Sequence, residues 1–278
     1  MENKLANILS DEHRFKKLIL ESSNIDGYPL VKRAIIGEET IFIKCLPFDN
    51  EKLRMLEYLY ERHENSDYFH APVKNRNAFI VAVGDASYIV SKELKVHADY
   101  PEPEWWAAAL SEIHKTYVPV NMMADQSQLV FEYAKLWNSA QTYMEEDIKI
   151  ALSTLLGYIQ FPVCQNDKCV INHGDPLFSN VMLKGNAPIL IDIENFLNVP
   201  KEFDIQRHFW DYAIEEKDST FYRNSWIRFR QAYENSFCMI NKVTLINLYV
   251  IDVCRTVSWF YLITLDETRP DYDRQMND

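Results

Sequence analysis

The sequence predicts an α+β fold in which a small antiparallel sheet precedes a mainly helical region. Strand-like composition with hairpin turns dominates the first part of the chain, and apolar residues at helical spacing dominate the part that follows. We therefore place a boundary between residues 1–93 and residues 94–278. With 278 residues and 47% hydrophobic content, the chain is long enough to bury a sizeable core.

The first segment contains two candidate hairpins separated by a helix. Gly37 and Gly84 each lie at a turn between two strand-like runs. Asp49 and Asn50 provide a cap for the helix between them, and a loosely helical stretch interrupted around residues 11–14 opens the chain. The predicted elements are a helix over residues 4–20, strands over 28–36 and 40–46, a helix over 51–63, and strands over 78–83 and 87–91.

The second segment is dominated by apolar and aromatic residues at helical spacing. Its aromatic stripes are expected to form core. The predicted helices are residues 104–117, 127–144 and 146–160, followed by two or three helices between 211 and 266. The polar tail over 268–278 is expected to fray.

Residues 169–196 interrupt this helical pattern with a short strand over 169–172 and a hairpin. The hairpin strands, 181–183 and 189–191, flank a turn containing Gly, Asn and Pro, and the second strand delivers Asp192 at its end. Because paired strands hold their outer ends side by side, we expect Asp175, Asn180 and Asp192 to lie in one small volume. Carboxylate and amide oxygens are hard ligands that suit a Mg²⁺ ion sharing its shell with phosphates.

The spacing of these residues matches a known template for phosphoryl transfer. His173 to Asn180 has the form H-x-D-x-x-x-x-N, and Asp192 follows on the far side of a strand-turn-strand. In the template one Asp accepts the proton of the attacking hydroxyl, while the Asn and a second Asp hold metal ions that bridge the nucleotide phosphates. Asp175 is therefore the candidate base, and Asn180 and Asp192 are the candidate metal ligands. His173 is expected to brace the loop through hydrogen bonds.

This stretch resembles the aminoglycoside phosphotransferase and choline kinase-like family, whose members are relatives of the protein kinases. The HGD form is closer to the antibiotic kinases, whereas IDIENF and FDIQRHFWDY are similar to choline and ethanolamine kinases. The resemblance implies a protein kinase-like two-lobed fold, with a small antiparallel-sheet N-lobe and a mainly helical C-lobe. It also implies Mg²⁺ and ATP or GTP as co-substrate.

The resemblance assigns further roles in the first segment. Lys44, which ends a strand, would contact the α and β phosphates, and a Glu on the following helix would pair with it. Glu57 is our choice for that partner, with Glu51 and Glu61 left open. Residues Lys92, Glu93 and Leu94 correspond to the hinge whose backbone binds adenine in the family.

Three more residues are assigned from the second segment. Asp204 is expected to bind the backbone of the catalytic loop, and His114 is expected to be a half-buried structural histidine. Glu194 could be an additional metal ligand or face water, and we favour the latter. The chain departs from the protein-kinase template in having no Gly-rich loop, since only Gly27 and Gly37 lie in the first 80 residues. The nucleotide contacts in this segment are therefore left open.

Composition limits the kind of binding partner, the state of the cysteines and the cellular location that we expect. The net charge of −12 argues against nucleic acid and suits a cationic small substrate. The 5 cysteines, with no CxxC pair, are expected to be buried thiols rather than a disulfide framework or a zinc site. No apolar run is long enough for a transmembrane helix, and the charged N-terminus lacks a signal core, so we expect a cytoplasmic protein.

The predicted activity is transfer of the γ-phosphoryl group of ATP or GTP to a hydroxyl of a small cationic acceptor. An aminoglycoside-type antibiotic is the first candidate for that acceptor. A choline, ethanolamine or amino-sugar kinase is the alternative within the class, and a catalytically inactive kinase-like binding protein is the alternative outside it. Asp211, Glu215 and Glu216 would favour a polyamine sugar, whereas an aromatic cage would favour a quaternary ammonium.

Overall fold

The structure, a computed structural model, describes residues 2–25, 28–96, 99–117, 136–157, 169–215 and 219–264, without the side chains of residues 2–3, 29, 210–222, 259–260 and 263–264. The chain divides into two compact units. The first unit comprises Met1–Glu102 and Phe178–Glu194, and the second comprises Pro103–Leu177 and Asn195–Asp278.

The first unit contains a five-stranded antiparallel sheet, which has the four strands that the sequence predicts and a further short strand over residues 23–25. Its strand order is β1-β2-β3-β5-β4. The third strand lies in the middle and pairs Lys44 with Val31 on one side and with Ile89 on the other. The strands are β1 (Ser23–Ile25), β2 (Tyr28–Ile36), β3 (Glu39–Leu46), β4 (Val81–Val83) and β5 (Ala86–Lys92).

Three helices accompany this sheet: α1 (Glu2–Leu9), α2 (Glu12–Glu21) and α3 (Asn50–His63). The predicted interruption of the first helical stretch is real, because the Asp11 side chain caps α2 by accepting a hydrogen bond from the Arg14 N–H. Phe15 of α2 packs in one apolar cluster with Ile41 and Ile43 of β3. The alternation of apolar residues along β3 therefore fixes which face of the sheet is covered.

The hairpin that follows the H-x-D motif belongs to the first unit. Strands β8 (Val181–Lys184) and β9 (Ala187–Leu190) pair with each other, and β6 (Lys95–Val96) pairs with β8. Hydrogen bonds from Leu190 N–H to the Tyr68 carbonyl and from His70 N–H to the Leu190 carbonyl attach the hairpin further. The division of the chain thus differs from a single boundary after residue 93: the first unit extends to Glu102 and recruits the hairpin, which pairs with strands and loops distant in sequence.

The second unit is mainly helical. Its helices are α4 (Pro103–His114), α5 (Glu146–Gly157), α6 (Glu202–Glu215), α7 (Ser219–Ser236) and α8 (Lys242–Thr264), and its strands are β7 (Cys169–Asn172) and β10 (Leu197–Pro200), which pair antiparallel. Helix α4 packs against α7 and β7, and α6 packs against α8. The predicted helix over 104–117 ends earlier, at His114, and Tyr117 is exposed rather than buried on its apolar face.

Two expectations from composition can be compared with the described part of the chain. No helix there is both long and apolar enough to cross a membrane. The described cysteines, Cys45, Cys169, Cys238 and Cys254, are free thiols, but the prediction that they are buried is wrong for three of them. Only Cys254 is buried, and Cys238 is exposed.

Candidate active site

The open end of the β8–β9 hairpin brings Asn180 and Asp192 together in the first unit. Val181 pairs with Leu190, and beyond this pair the Ile191 N–H donates to the Asn180 carbonyl at 2.9 Å. Asp192 then adopts a positive φ of 64°, a left-handed conformation that Asp tolerates better than most residues. The hairpin therefore places Asn180 and Asp192 side by side, whereas the expected position of Asp175 beside them stays a prediction.

Lys44 reaches this hairpin end from the central strand of the sheet. Its Nζ atom lies 3.0 Å from Asp192 Oδ1 and 3.6 Å from Glu194 Oε2. Burial alone would lower the pKa of Lys44, but the charges of Glu194 and Asp192 outweigh it and raise that pKa. Lys44 is therefore held as a cation between two carboxylates.

Glu194 does not face water, in contrast to our expectation. Its side chain is only 4% exposed. Burial raises the pKa of Glu194, while the charge of Lys44 opposes that rise. Tyr60 of α3 hydrogen-bonds to this carboxylate, and the pKa of the Tyr60 hydroxyl is raised by its own burial and by the charge of Glu194.

Glu57, chosen as the partner of Lys44, has a different role in the structure. Its Oε1 accepts a hydrogen bond from the Phe79 N–H at 2.7 Å, and its Oε2 accepts one from the Ile80 N–H at 2.9 Å. The carboxylate on α3 thus holds the segment that leads into β4. The other two candidates, Glu51 and Glu61, are exposed. The carboxylate that accompanies Asp192 beside Lys44 is instead Glu194.

The expected hinge residues lie at the end of β5, whose last residue is Lys92. Lys92 Nζ pairs with Glu39 Oε1 at 2.9 Å, and Glu93 lies 3.8 Å from an Arg33 nitrogen, so both side chains form exposed ion pairs. The Glu93 N–H donates to the Thr40 carbonyl at 3.1 Å, and Leu94 is half-buried. A contact between this backbone and adenine stays a prediction.

The donor atoms near Lys44 fit a magnesium ion. Within the described residues no group of three His, Cys, Asp or Glu side chains is arranged to hold a metal. Mg²⁺ does not need one, because it commonly uses one or two carboxylates together with phosphate oxygens and water. Asp192 and Asn180 supply hard oxygens, and Glu194 Oε2 is buried without a hydrogen bond from the described part of the chain. We therefore regard the hairpin end as compatible with a metal–phosphate complex.

The loop that carries Asp175 lies in the second unit, and hydrogen bonds to its backbone N–H groups hold it in place. Asp204, at the start of α6 and fully buried, accepts hydrogen bonds from the His173 N–H at 2.6 Å and the Gly174 N–H at 2.9 Å. Its own N–H donates to Asn172 Oδ1 at 3.2 Å. This is the contact with the loop backbone that the sequence led us to expect of Asp204. His173 is also buried, and its Nδ1 lies 3.4 Å from the Asp175 nitrogen.

Gly174 occupies a position that no other residue could take without displacement. Its φ is +89°, and a Cβ atom built there would lie 1.9 Å from the Asn195 carbonyl oxygen. Both the left-handed backbone and the close approach require glycine. The glycine of the HGD motif is therefore required by the close packing of the loop against Asn195.

His114 supports the same loop from α4. It is buried rather than half-buried, with Nε2 3.2 Å from Asp204 Oδ2 and Nδ1 2.6 Å from the Tyr233 hydroxyl. Burial raises the pKa of Tyr233, so its hydroxyl stays protonated. The sequence indicated a structural His114 but not its link to Asp204 and Tyr233.

Arg207 is the residue near Asp175 that the sequence analysis missed. Its Nε and Nη2 atoms lie 3.2 and 3.1 Å from Asp175 Oδ1. The spacing was visible in the sequence, because Arg207 follows Asp204 by three positions. The predicted helices of this region began only at residue 211, whereas α6 begins at Glu202 and places both residues on one face. The possible acceptor residues lie outside the described part of the chain, namely Glu216 and the side chains of Asp211 and Glu215. Gly27, in a turn considered for the nucleotide phosphates, lies outside it as well.

Comparison with known proteins gives matches at the level of structure. No model of a protein family matches the chain, and no curated protein sequence matches it. A crystal structure of spectinomycin phosphotransferase with ADP and spectinomycin matches with a TM-score of 0.63 at 15% identity, over 92% of this chain and 86% of that chain. The choline kinase LicA of Streptococcus pneumoniae matches with a TM-score of 0.60 at 14% identity, over 94% of this chain and 92% of that chain.

A third structure, an amicoumacin kinase in complex with AMP-PNP, Ca²⁺ and its antibiotic, matches with a TM-score of 0.57 at 14% identity, over 93% of this chain and 88% of that chain. At such identities the likeness concerns the fold rather than the substrate. The antiparallel sheet, the hairpin after the H-x-D motif and the helical second unit are parts of one common architecture. The chain has the protein kinase-like fold of aminoglycoside phosphotransferases and choline kinase.

Proposed function

We propose that the chain is a small-molecule kinase that transfers the γ-phosphoryl group of ATP or GTP to a hydroxyl of a small cationic acceptor. The observation that carries this proposal is the 3.0 Å ion pair between Lys44 Nζ and Asp192 Oδ1, which joins residues 148 positions apart. A lysine for the nucleotide phosphates and an aspartate for their metal must lie close together in this chemistry. The HGD motif and the shared fold support the same reaction.

Each residue would have a distinct role in the reaction. Lys44 would contact the α and β phosphates, and Asn180 and Asp192 would hold Mg²⁺, which neutralises charge on the phosphates when bound. Asp175 would orient the acceptor hydroxyl and accept its proton. Most of the rate gain would come from positioning and electrostatics, because phosphoryl transfer needs little covalent participation by the protein.

A cationic acceptor is supported by charge and by the compounds that similar folds bind. The net charge of −12 would concentrate cations near the protein. Spectinomycin and streptomycin appear in complexes of two phosphotransferases that share the fold. We therefore place an aminoglycoside-type acceptor first.

Choline or a related amino alcohol is the second candidate. It is favoured by the match to a choline kinase, which covers 94% of this chain, and by the similarity of FDIQRHFWDY to choline kinases. In this case an aromatic cage, rather than acidic side chains, would hold the cationic group.

The test is an ADP-release assay with Mg·ATP and Mg·GTP against aminoglycosides, spectinomycin, choline, ethanolamine and amino sugars. Acceptor-dependent turnover on an aminoglycoside is the expected result, and Asp175→Asn should lower it about 10²- to 10⁴-fold without changing the circular dichroism spectrum. Turnover on choline would favour the second candidate. Absence of both turnover and nucleotide binding would contradict the proposal and indicate an inactive kinase-like scaffold.

A further inference from the structure

The carboxylate of Asp175 is the first member of a partly buried chain of charges in the second unit. Arg207 of α6 contacts Asp175 Oδ1 through Nε and Nη2. Its Nη1 lies 3.2 and 3.4 Å from the two carboxylate oxygens of Asp252 on α8. Arg255, one turn further along α8, donates from Nε to Asp252 Oδ1 at 2.9 Å.

These charges are too buried to be ordinary surface ion pairs. The Arg207 side chain is 18% exposed and that of Asp252 only 1%. Burial raises the pKa of Asp252, and the charge of Arg207 opposes the rise. A buried carboxylate is costly unless it is paired and hydrogen-bonded. Asp252 meets that condition, because Arg207 and Arg255 both lie against it. The Gln206 side chain hydrogen-bonds to it as well and favours its charged form.

Hydrogen bonds that do not involve Arg207 hold the backbone of the loop. Asp204 already binds the backbone N–H groups of His173 and Gly174. Arg207 lies one turn further along α6 and contacts the side chain of Asp175. One helix therefore holds the backbone of the loop with a carboxylate and the reactive side chain with a guanidinium.

We infer that Arg207, braced by Asp252, is a positioning residue that fixes the Asp175 carboxylate for proton acceptance. The inference rests on the proposed function, in which Asp175 is the base. The planar guanidinium presents two N–H groups to one oxygen of Asp175 and a third to Asp252, so its own orientation is fixed from the opposite side. A lysine at this position would preserve the positive charge, but it could not make these hydrogen bonds to Asp175 and Asp252 with a planar group.

The test compares Arg207→Lys with Arg228→Lys. Arg228 is a matched control because it forms a two-point pair with Glu104, at 2.7 and 2.6 Å, at an exposed site. With the best acceptor, Arg207→Lys should lower kcat about 10- to 100-fold, the size expected for a misplaced reacting group. The KM for nucleotide should stay unchanged, and Arg228→Lys should behave as wild type.

Two further measurements separate positioning from loss of folding. Asp252→Asn keeps the shape of the brace but weakens its charge, so it should lower kcat by a smaller factor in the same direction. In the Asp175→Asn background, Arg207→Lys should cause no further loss, because residues that act as a unit are not additive.

The possible outcomes distinguish this inference from the proposed function. Wild-type kcat in Arg207→Lys, or a loss that persists undiminished in the Asp175→Asn background, would overturn the inference alone. A wild-type chain that binds Mg·ATP but turns over no acceptor would overturn the proposed function and the inference with it. A selective fall in kcat that disappears in the double variant would establish Arg207 as the positioning residue.

Discussion

The two units hold their charged groups in opposite ways. In the first unit, the lysine cluster of Lys44, Asp192 and Glu194 sets one cation against two carboxylates. In the second unit, the aspartate cluster of Asp175, Arg207, Asp252 and Arg255 balances two carboxylates with two guanidinium groups. The first arrangement has a surplus of negative charge and the second has none.

This difference indicates which cluster exchanges partners during the reaction. In the proposed reaction Asp192 would help to hold a divalent cation, which would neutralise phosphate charge, and Lys44 would contact phosphate oxygens. A balanced, buried set of ion pairs gains nothing from a new ion and instead fixes geometry. We therefore expect variants of the lysine cluster to affect nucleotide binding, and variants of the aspartate cluster to affect turnover.

The largest expected effect on binding is that of Lys44→Met. Loss of the cation removes charged hydrogen bonds to phosphate and leaves Glu194 buried without its counter-ion. The affinity for Mg·ATP, measured by calorimetry, should fall about 10- to 100-fold. Lys16→Met is the control, because Lys16 is exposed and pairs with Glu12 on α2, which carries no predicted nucleotide contact. Equal losses in the two variants would show that the lysine cluster has no special role.

Gly174→Ala should be the most destabilising change in the catalytic loop. The left-handed φ and the 1.9 Å approach to the Asn195 carbonyl together should cost about 3 kcal/mol or more of unfolding free energy. Gly185→Ala, in the hairpin turn of the first unit, has a φ of +69° but nothing within 4 Å, so it should cost only about 1 kcal/mol. Urea unfolding of both variants measures the difference, and equal costs would contradict the tight packing of the loop.

Glu194→Gln and Glu57→Gln should separate two carboxylates that lie in the same unit. Glu194→Gln removes a charge beside Lys44 and should weaken Mg·ATP binding by about tenfold. Glu57→Gln should leave binding near wild type and lower stability by about 1–2 kcal/mol, because one of its two backbone amides loses an acceptor. If Glu57→Gln were the variant that lost nucleotide affinity, Glu57 would be the functional partner of Lys44 after all.

The effect expected to be smallest on binding and turnover is that of His208, which should act through acid stability. Burial lowers the pKa of His208 from 6.5 to about 3, so the folded state keeps the ring neutral where the unfolded state binds a proton. The folded state therefore loses stability as the pH falls below about 6.5, by about 2 kcal/mol between pH 7 and pH 5. His208→Leu should remove this part of the loss, measured by urea unfolding at the two pH values. His13→Gln, at an exposed position of α2, should keep it.

Local patterns were sufficient to predict most of the fold. The glycines at the turns and the alternation of apolar residues along β3 indicated the hairpins of the sheet. They could not indicate that the β8–β9 hairpin joins the first unit, because its partners, β6 and residues 68–70, are distant in sequence. Neither the hairpin nor its partner segments contain a local sequence pattern that indicates this pairing.

The errors at the site have the same origin. Helical spacing shows which face of α3 is apolar, but it does not show which carboxylate near that face will meet Lys44, and Glu57 was chosen wrongly. Glu194 lies in a single 3₁₀ turn, Ile193–Asn195, which is too short for periodicity to distinguish buried from exposed positions. The contact of Arg207 with Asp252 joins α6 to α8 and is visible only in the folded chain.

The most direct test of this division of roles is to measure Mg·ATP affinity and acceptor-dependent turnover for Asp175→Asn beside Lys44→Met. We predict that Asp175→Asn binds nucleotide like wild type and loses about 10²- to 10⁴-fold in turnover, the usual contribution of a general base. Lys44→Met should lose nucleotide affinity. Full turnover in Asp175→Asn, or a loss of nucleotide affinity in that variant equal to that of Lys44→Met, would contradict the assignment of Asp175 as the base.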